Sequence, residues 1–146
     1  MARPKSYRDL IVWQKAMGLA RQAYALSLSL PKNEAYGLLS QMRRAAVSVP
    51  SNIAEGHGRL TDLQFRHFLG NARGSLYELQ TQMELASDLG YLDTTRVQDA
   101  MEKGWEVARL INGLLASMRR DNSGTAETNS ARPASSANSA KKGPRS

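Results

Sequence analysis

The sequence predicts an all-α protein: an antiparallel four-helix bundle with a kinked second helix and a disordered C-terminal tail. Three observations carry that expectation. Four segments place apolar residues three or four apart, the spacing that lines one face of a helix. The links between them are short, which favours antiparallel neighbours. No segment alternates apolar and polar residues at the period of a strand.

The first helix is expected from Asp9, a candidate N-cap, to about Ser29, leaving residues 1–8 as an N-terminal extension. Leu10, Trp13, Met17, Ala20, Tyr24 and Leu28 share one face of it, and Pro31 ends it. The second helix opens near Glu34, with Asn33 placed to cap it. Its apolar stripe is Leu38, Met42, Ala45, Val49, Ile53 and Gly56. Pro50 removes a backbone donor and crowds the carbonyl four residues back, which predicts a kink near Ala46. A break into two helices is the competing reading; the stripe keeps its phase across the proline and favours the kink. Thr61 followed by Gln64 has the capping-box spacing and starts the third helix, which carries Phe65, Phe68, Ala72, Leu76, Leu79, Met83 and Ala86 and stops at Gly90. Thr95 with Gln98 repeats that spacing before Val97, Met101, Gly104, Ala108, Ile111 and Leu115. The bundle is thus expected over residues 9–120. Residues 121–146 hold no large apolar side chain to offset the cost of ordering, so they read as a disordered tail.

The chain has 146 residues, enough for one domain with its own core. The absence of cysteine excludes disulfides and thiolate chemistry. No apolar run reaches signal-peptide or membrane-span length, so a cytoplasmic protein without a membrane partner is expected. Lys and Arg number 20 against 13 Asp and Glu, a net charge of +7. Residues 1–120 alone retain a net +5. That excess suits contact with a phosphate backbone or an acidic partner, and it equally suits plain solubility.

Catalytic patterns are missing. His57 and His67 are the only histidines, and neither belongs to a helical metal motif. Glu102 and Glu106 lie four apart, a spacing typical of a solvated face. No serine sits in a nucleophile elbow, and Glu55-Gly56-His57-Gly58 lacks the lysine of a phosphate loop. The expectation is a protein that is not an enzyme and holds no cofactor or metal. Two groups of residues remain as candidates. Gln41, Ser48, Ser51, Asn52 and Glu55, with Arg44, approximate a polar face on the second helix that would bond a neighbouring helix, an adjacent subunit or a ligand. Arg43, Arg44, Arg59, Arg66 and Arg73 are candidates for nucleic-acid or subunit contacts, because guanidinium groups suit phosphate and planar ion pairs. Intrachain pairing is the plain alternative for both. Gly70 and Gly74, four apart, suggest a place where helices approach closely. With Phe65, Phe68 and Trp105 on expected core stripes, no base-stacking platform is indicated.

Several pieces together resemble a known family. They are Leu10-Ile11-Val12-Trp13-Gln14-Lys15-Ala16, Pro31 with Glu34-Ala35-Tyr36-Gly37-Leu38, Ser40-Gln41-Met42-Arg43-Arg44-Ala45-Ala46-Val47-Ser48, Ser51-Asn52-Ile53-Ala54-Glu55-Gly56, and Ala72-Arg73-Gly74-Ser75-Leu76-Tyr77-Glu78, with Arg59, Phe65 and Phe68-Leu69 between. Over roughly residues 9–118 the chain resembles the four-helix-bundle proteins encoded by intervening sequences in 23S ribosomal RNA genes, once called S23 ribosomal proteins. The resemblance implies a ring-like homo-oligomer, a pentamer. A related branch, the accessory protein of diversity-generating retroelements, implies nucleic-acid binding and, in a retroelement context, a reverse transcriptase as partner. The combined expectation is a non-enzymatic homo-oligomer that contacts RNA or DNA through a basic surface. The alternative is an assembly module with no nucleic-acid role.

Overall fold

A computed structural model describes residues 3–121; the tail expected to be disordered lies, from residue 122 onward, outside the described residues. Four helices make up the architecture: α1 (Ile11–Ser27), α2 (Leu38–His57), α3 (Asp62–Asp88) and α4 (Thr94–Asp121). No strand occurs among the described residues. Each helix packs on two neighbours, in the cyclic order α1, α2, α3, α4 and back to α1.

The start of α1 corrects the expected cap. Asp9 ends a short 3-10 turn, Tyr7–Asp9, whose own cap is Ser6, and the α-helix begins after Leu10 with no side-chain cap. The buried face overlaps the expected one at Leu10 and Ala20 but is otherwise rotated from it. Val12, Ala16, Leu19, Ala23 and Leu26 enter the core, whereas Tyr24 and Leu28 are 40% and 76% exposed. The helix has two apolar stripes, and the one rich in alanine goes inward, where small side chains let the helices come close. The larger stripe, Trp13, Met17 and Tyr24, is left on the flank facing α2.

The second helix begins later than expected. Lys32–Glu34 form a 3-10 turn that follows Pro31, so Asn33 caps nothing, and α2 starts at Leu38. Glu34 explains the delay: its Oε1 accepts the Leu38 N–H at 3.0 Å, doing the capping from four residues upstream. From there α2 runs unbroken through Pro50 to His57, burying Met42, Ala45, Val49, Ile53 and Gly56 as the stripe predicted. The segment ahead of α1 is tied to the far end of α2. Arg3 donates to the carbonyls of His57 and Arg59 at 3.3 and 2.9 Å and to Asp62 Oδ1 at 2.7 Å, and its guanidinium lies 4.6 Å from the Phe65 ring centre.

In α3 the expected start holds, with Thr61 Oγ1 accepting the Gln64 N–H at 3.2 Å. Gly90, at φ +81°, ends it: the Gly90 N–H reaches Ser87 O and the Tyr91 N–H reaches Ala86 O, the paired bonds of a Schellman stop. The cap of α4 is Asp93, whose Oδ2 accepts the Arg96 N–H at 2.9 Å. Thr95 is therefore already inside the helix, a correction of two residues. Trp105 is another correction, since it is 47% exposed while Gly104, Ala108 and Ile111 beside it are buried. Gly70 and Gly74 do not mark a close approach, because a Cβ there would meet nothing within 4 Å. Close approaches occur instead at Gly56, where a Cβ would stand 2.7 Å from Phe68 Cβ, and at Gly104, where it would stand 2.6 Å from Gln80 Nε2. No helix among the described residues is long and apolar enough to cross a membrane.

Candidate functional site

The α3/α4 seam is set by a ladder of side-chain contacts. Arg73 Nη1 donates to Asn112 Oδ1 at 2.7 Å, the Tyr77 and Trp105 rings stand 6.2 Å apart, Gln80 Nε2 donates to Met101 O at 3.3 Å, and the Ser87 and Thr94 hydroxyls lie 3.5 Å apart. Later residues of α3 meet earlier residues of α4. Continued the other way, this register brings Arg66 level with Ser117–Arg119. Arg66 Nε and Ser117 Oγ are both buried and have no hydrogen-bond partner among the described residues.

Half of that seam is cationic. Arg66 and Arg73 on α3 face the stripe of α4 that carries Arg109, Asn112 and Arg119, and Arg109 and Arg119 are exposed. No carboxylate occurs on α3 between Leu63 and Tyr77 or on α4 between Val107 and Arg119. Glu106, just beyond, is turned to Lys15 of α1 at 3.2 Å. The opposite half of the seam reverses the sign, with Glu84 and Asp88 beside Trp105.

The five candidate arginines do not share one surface. Arg66 and Arg73 fall on the cationic seam. Arg43 instead fastens α2 to α1, its Nε donating to Ser27 Oγ at 2.9 Å and its guanidinium 4.8 Å from the Tyr24 ring centre. Arg59 bonds Glu55 at 2.8 Å and stacks over Phe68 at 4.6 Å. Arg44 is exposed on α2. The polar face of α2 divides as well. Ser48 meets Ser75 of α3, hydroxyl to hydroxyl at 2.8 Å, so it bonds a neighbouring helix, while Asn52 donates back to the Ser48 carbonyl and hydroxyl within α2. Ser51 points into the α1/α2 groove, Glu55 faces Arg59, and Gln41 borders a shallow α2/α3 groove. Arg109, Asn112 and Arg119 were missed because sequence periodicity alone does not say which helix faces which. The short α3–α4 link was the available signal: folding the chain back at residues 90–93 opposes Arg73 to Asn112.

The second concave surface lies between α1 and α2. This groove, about 580 Å³ in volume, is lined mainly by Tyr7, Trp13, Met17, Tyr24, Val47 and Pro50. Arg8 lies 5.5 and 5.9 Å from the Tyr7 and Trp13 ring centres, and Arg21 is part of the lining. No carboxylate lines it.

The remaining polar side chains are structural in their contacts. His57 Nε2 is 2.7 Å from Pro4 O, and His67 is exposed beside Asn71. The Asp99 carboxyl is held below its ordinary value by the hydrogen bond from Gln22 and then by Lys103. The Tyr91 hydroxyl is held above its ordinary value, chiefly by its hydrogen bond to Glu34. Among the described residues no cluster of three or more His, Cys, Asp or Glu side chains is placed to hold a metal ion.

A family model described as 23S rRNA-intervening sequence protein matches residues 8–113. No curated protein matches the chain at a significant level.

Proposed function

The chain belongs to the 23S rRNA-intervening sequence protein family, and from that premise we propose a non-enzymatic, cytoplasmic homo-oligomer that holds the phosphate backbone of RNA or DNA against its α3/α4 seam. The observation that carries the reading is the run of Arg66, Arg73, Arg109 and Arg119 along one half of that seam with no carboxylate among them. Guanidinium groups arranged this way neutralise successive phosphates and read little of the base sequence. The exposed rings of the seam, Tyr77 and Trp105, stand against each other at 6.2 Å, so charge and shape rather than base stacking do the binding. The reading takes the helices as antiparallel, with α2 bent at Pro50, and takes the assembly as a ring, a pentamer by resemblance to the family.

Binding of this kind weakens as salt rises, because released counterions supply its driving force. Fluorescence anisotropy against structured RNA, single strands and duplex DNA measures it. Replacing Arg73, Arg109 and Arg119 by glutamine is expected to flatten the plot of log affinity against log salt, by about 0.9 for each duplex phosphate that the variant no longer neutralises. A chain that binds none of these at micromolar concentration in about 50 mM salt overturns the proposal, since that regime favours electrostatic contact.

A second reading is assembly alone, with no nucleic acid. It is favoured by the number of large apolar side chains left in water, among them Leu28, Tyr36, Leu60, Leu63 and Trp105. A stable oligomer that ignores every polyanion selects it.

A further inference from the structure

The α1/α2 groove and the acidic half of the α3/α4 seam are complementary, and we infer that they bind each other between two copies of the chain. This rests on the homo-oligomer reading and says which surfaces make the contact. The groove is aromatic and positively rimmed. No carboxylate lines it; of those nearest in sequence, Glu34 is engaged with the Leu38 N–H and the Tyr91 hydroxyl, and Glu55 bonds Arg59, with Asp9 exposed beside Arg8. The opposite flank has the reverse character. From Ser75 to Thr95 there is no Lys or Arg; of the carboxylates there, Glu78 bonds Gln82 toward α2 and Asp93 caps α4, which leaves Glu84 and Asp88 on the flank. On that flank the Tyr77 and Trp105 rings lie together, 40% and 47% exposed, with Glu84 and Asp88 beside the tryptophan.

Charge decides among the possible occupants. Two grooves facing each other would set Arg8, Arg21 and Arg43 of each copy against their like, which opposes a two-fold dimer through this face. The C-terminal tail, with Arg132, Lys141, Lys142 and Arg145 against Glu127, carries the same sign as the groove. The Tyr77–Trp105 ridge of another copy carries aromatic side chains for the apolar lining and carboxylates for the arginine rim. Such a contact joins two different patches, so each copy still offers one of each to the next. Head-to-tail contacts of this type close into a ring or continue as a filament according to the rotation between neighbours.

The cysteine-free chain gives a clean test. Ser51→Cys puts a thiol in the groove and Thr81→Cys puts one on the exposed ridge stripe, four residues from Tyr77. Light scattering of the full wild-type chain comes first, then treatment of both single variants and the double variant with a short bis-maleimide. The expected result is a ladder of covalent dimers, trimers and higher species from the double variant, and monomer from each single variant. A wild-type chain that scatters as one 16.1 kDa unit at tens of micromolar overturns the assembly reading itself. An assembled wild type whose double variant gives no ladder, or whose Ser51→Cys variant links to itself, overturns only the head-to-tail placement.

Discussion

At Gly56 an added Cβ would meet an atom that cannot swing aside, whereas at Gly104 it would meet the far end of the Gln80 side chain, and Gly56→Ala tests how α2 meets α3. The new Cβ would stand 2.7 Å from Phe68 Cβ, 2.9 Å from Phe65 Cδ1 and 3.4 Å from Phe65 O. Two effects oppose each other. Alanine gains about 1 kcal/mol over glycine within a helix, and overpacking a filled site costs about 1–3 kcal/mol. Phe68 Cβ is fixed to the α3 backbone and has no rotamer that moves it aside, so the helices must part and the upper end of the cost applies. The net loss is then about 1–2 kcal/mol, read as a melting temperature lower by roughly 4–8 °C. Gly74→Ala is the matched control. Nothing lies within 4 Å of its Cβ, so the helix gain stands alone and the variant is expected to be more stable by about 0.5–1 kcal/mol. Thermal melts followed by circular dichroism, at one protein concentration because assembly would shift the midpoint, compare the three chains. A Gly56→Ala chain that melts at or above wild type would refute the packing argument.

Two further changes probe single contacts. Asp93→Ala removes the side-chain acceptor for the Arg96 N–H and is expected to cost about 1 kcal/mol in urea denaturation, whereas Thr95→Ala, which removes no cap, should stay within about 0.5 kcal/mol of wild type; equal losses at the two positions would reassign the cap. Asp99 gives a pH dependence: its folded carboxyl is lowered by Gln22 and Lys103, so it contributes stability above the unfolded value near pH 4 and loses it as pH falls through the lower folded value. Asp99→Asn should flatten the acid limb of a stability–pH curve, and an unchanged limb would show that the bond to Gln22 does not hold in solution.

Much of this fold was readable from residue spacing because its core follows it. Met42, Val49 and Ile53 of α2 and Phe65, Ala72, Leu76 and Met83 of α3 are buried where a 3.6-residue period puts them. The starts of three helices were not readable. Asp9, Asn33 and Thr95 all have the chemistry of an N-cap, but Asp9 is taken up in a 3-10 turn capped by Ser6, and Glu34 and Asp93 supply the acceptors at α2 and α4; which side chain captures the free N–H groups depends on the path of the link. The α1 error has a different origin. That helix is apolar on more than one stripe, so periodicity names two faces and only packing selects between them. The candidate arginines were identifiable as cations, yet their roles depend on neighbours distant in sequence: Tyr24 and Ser27 for Arg43, and Asn112 for Arg73.

The hold that Arg3 takes on the α2–α3 link has an effect some way off. Tyr7 belongs to the same short leading segment, which His57 also grips through Pro4, and it forms one wall of the groove along α1. That wall is thus lent by residues outside the helical core. A chain shortened to begin at Leu10 keeps the four helices but gives up the Arg3 tie, the Tyr7 contact with the core and the Arg8 cation beside it. On the head-to-tail proposal, folding and self-recognition would part company in a single deletion, and the shortened bundle would melt cooperatively yet scatter as a monomer.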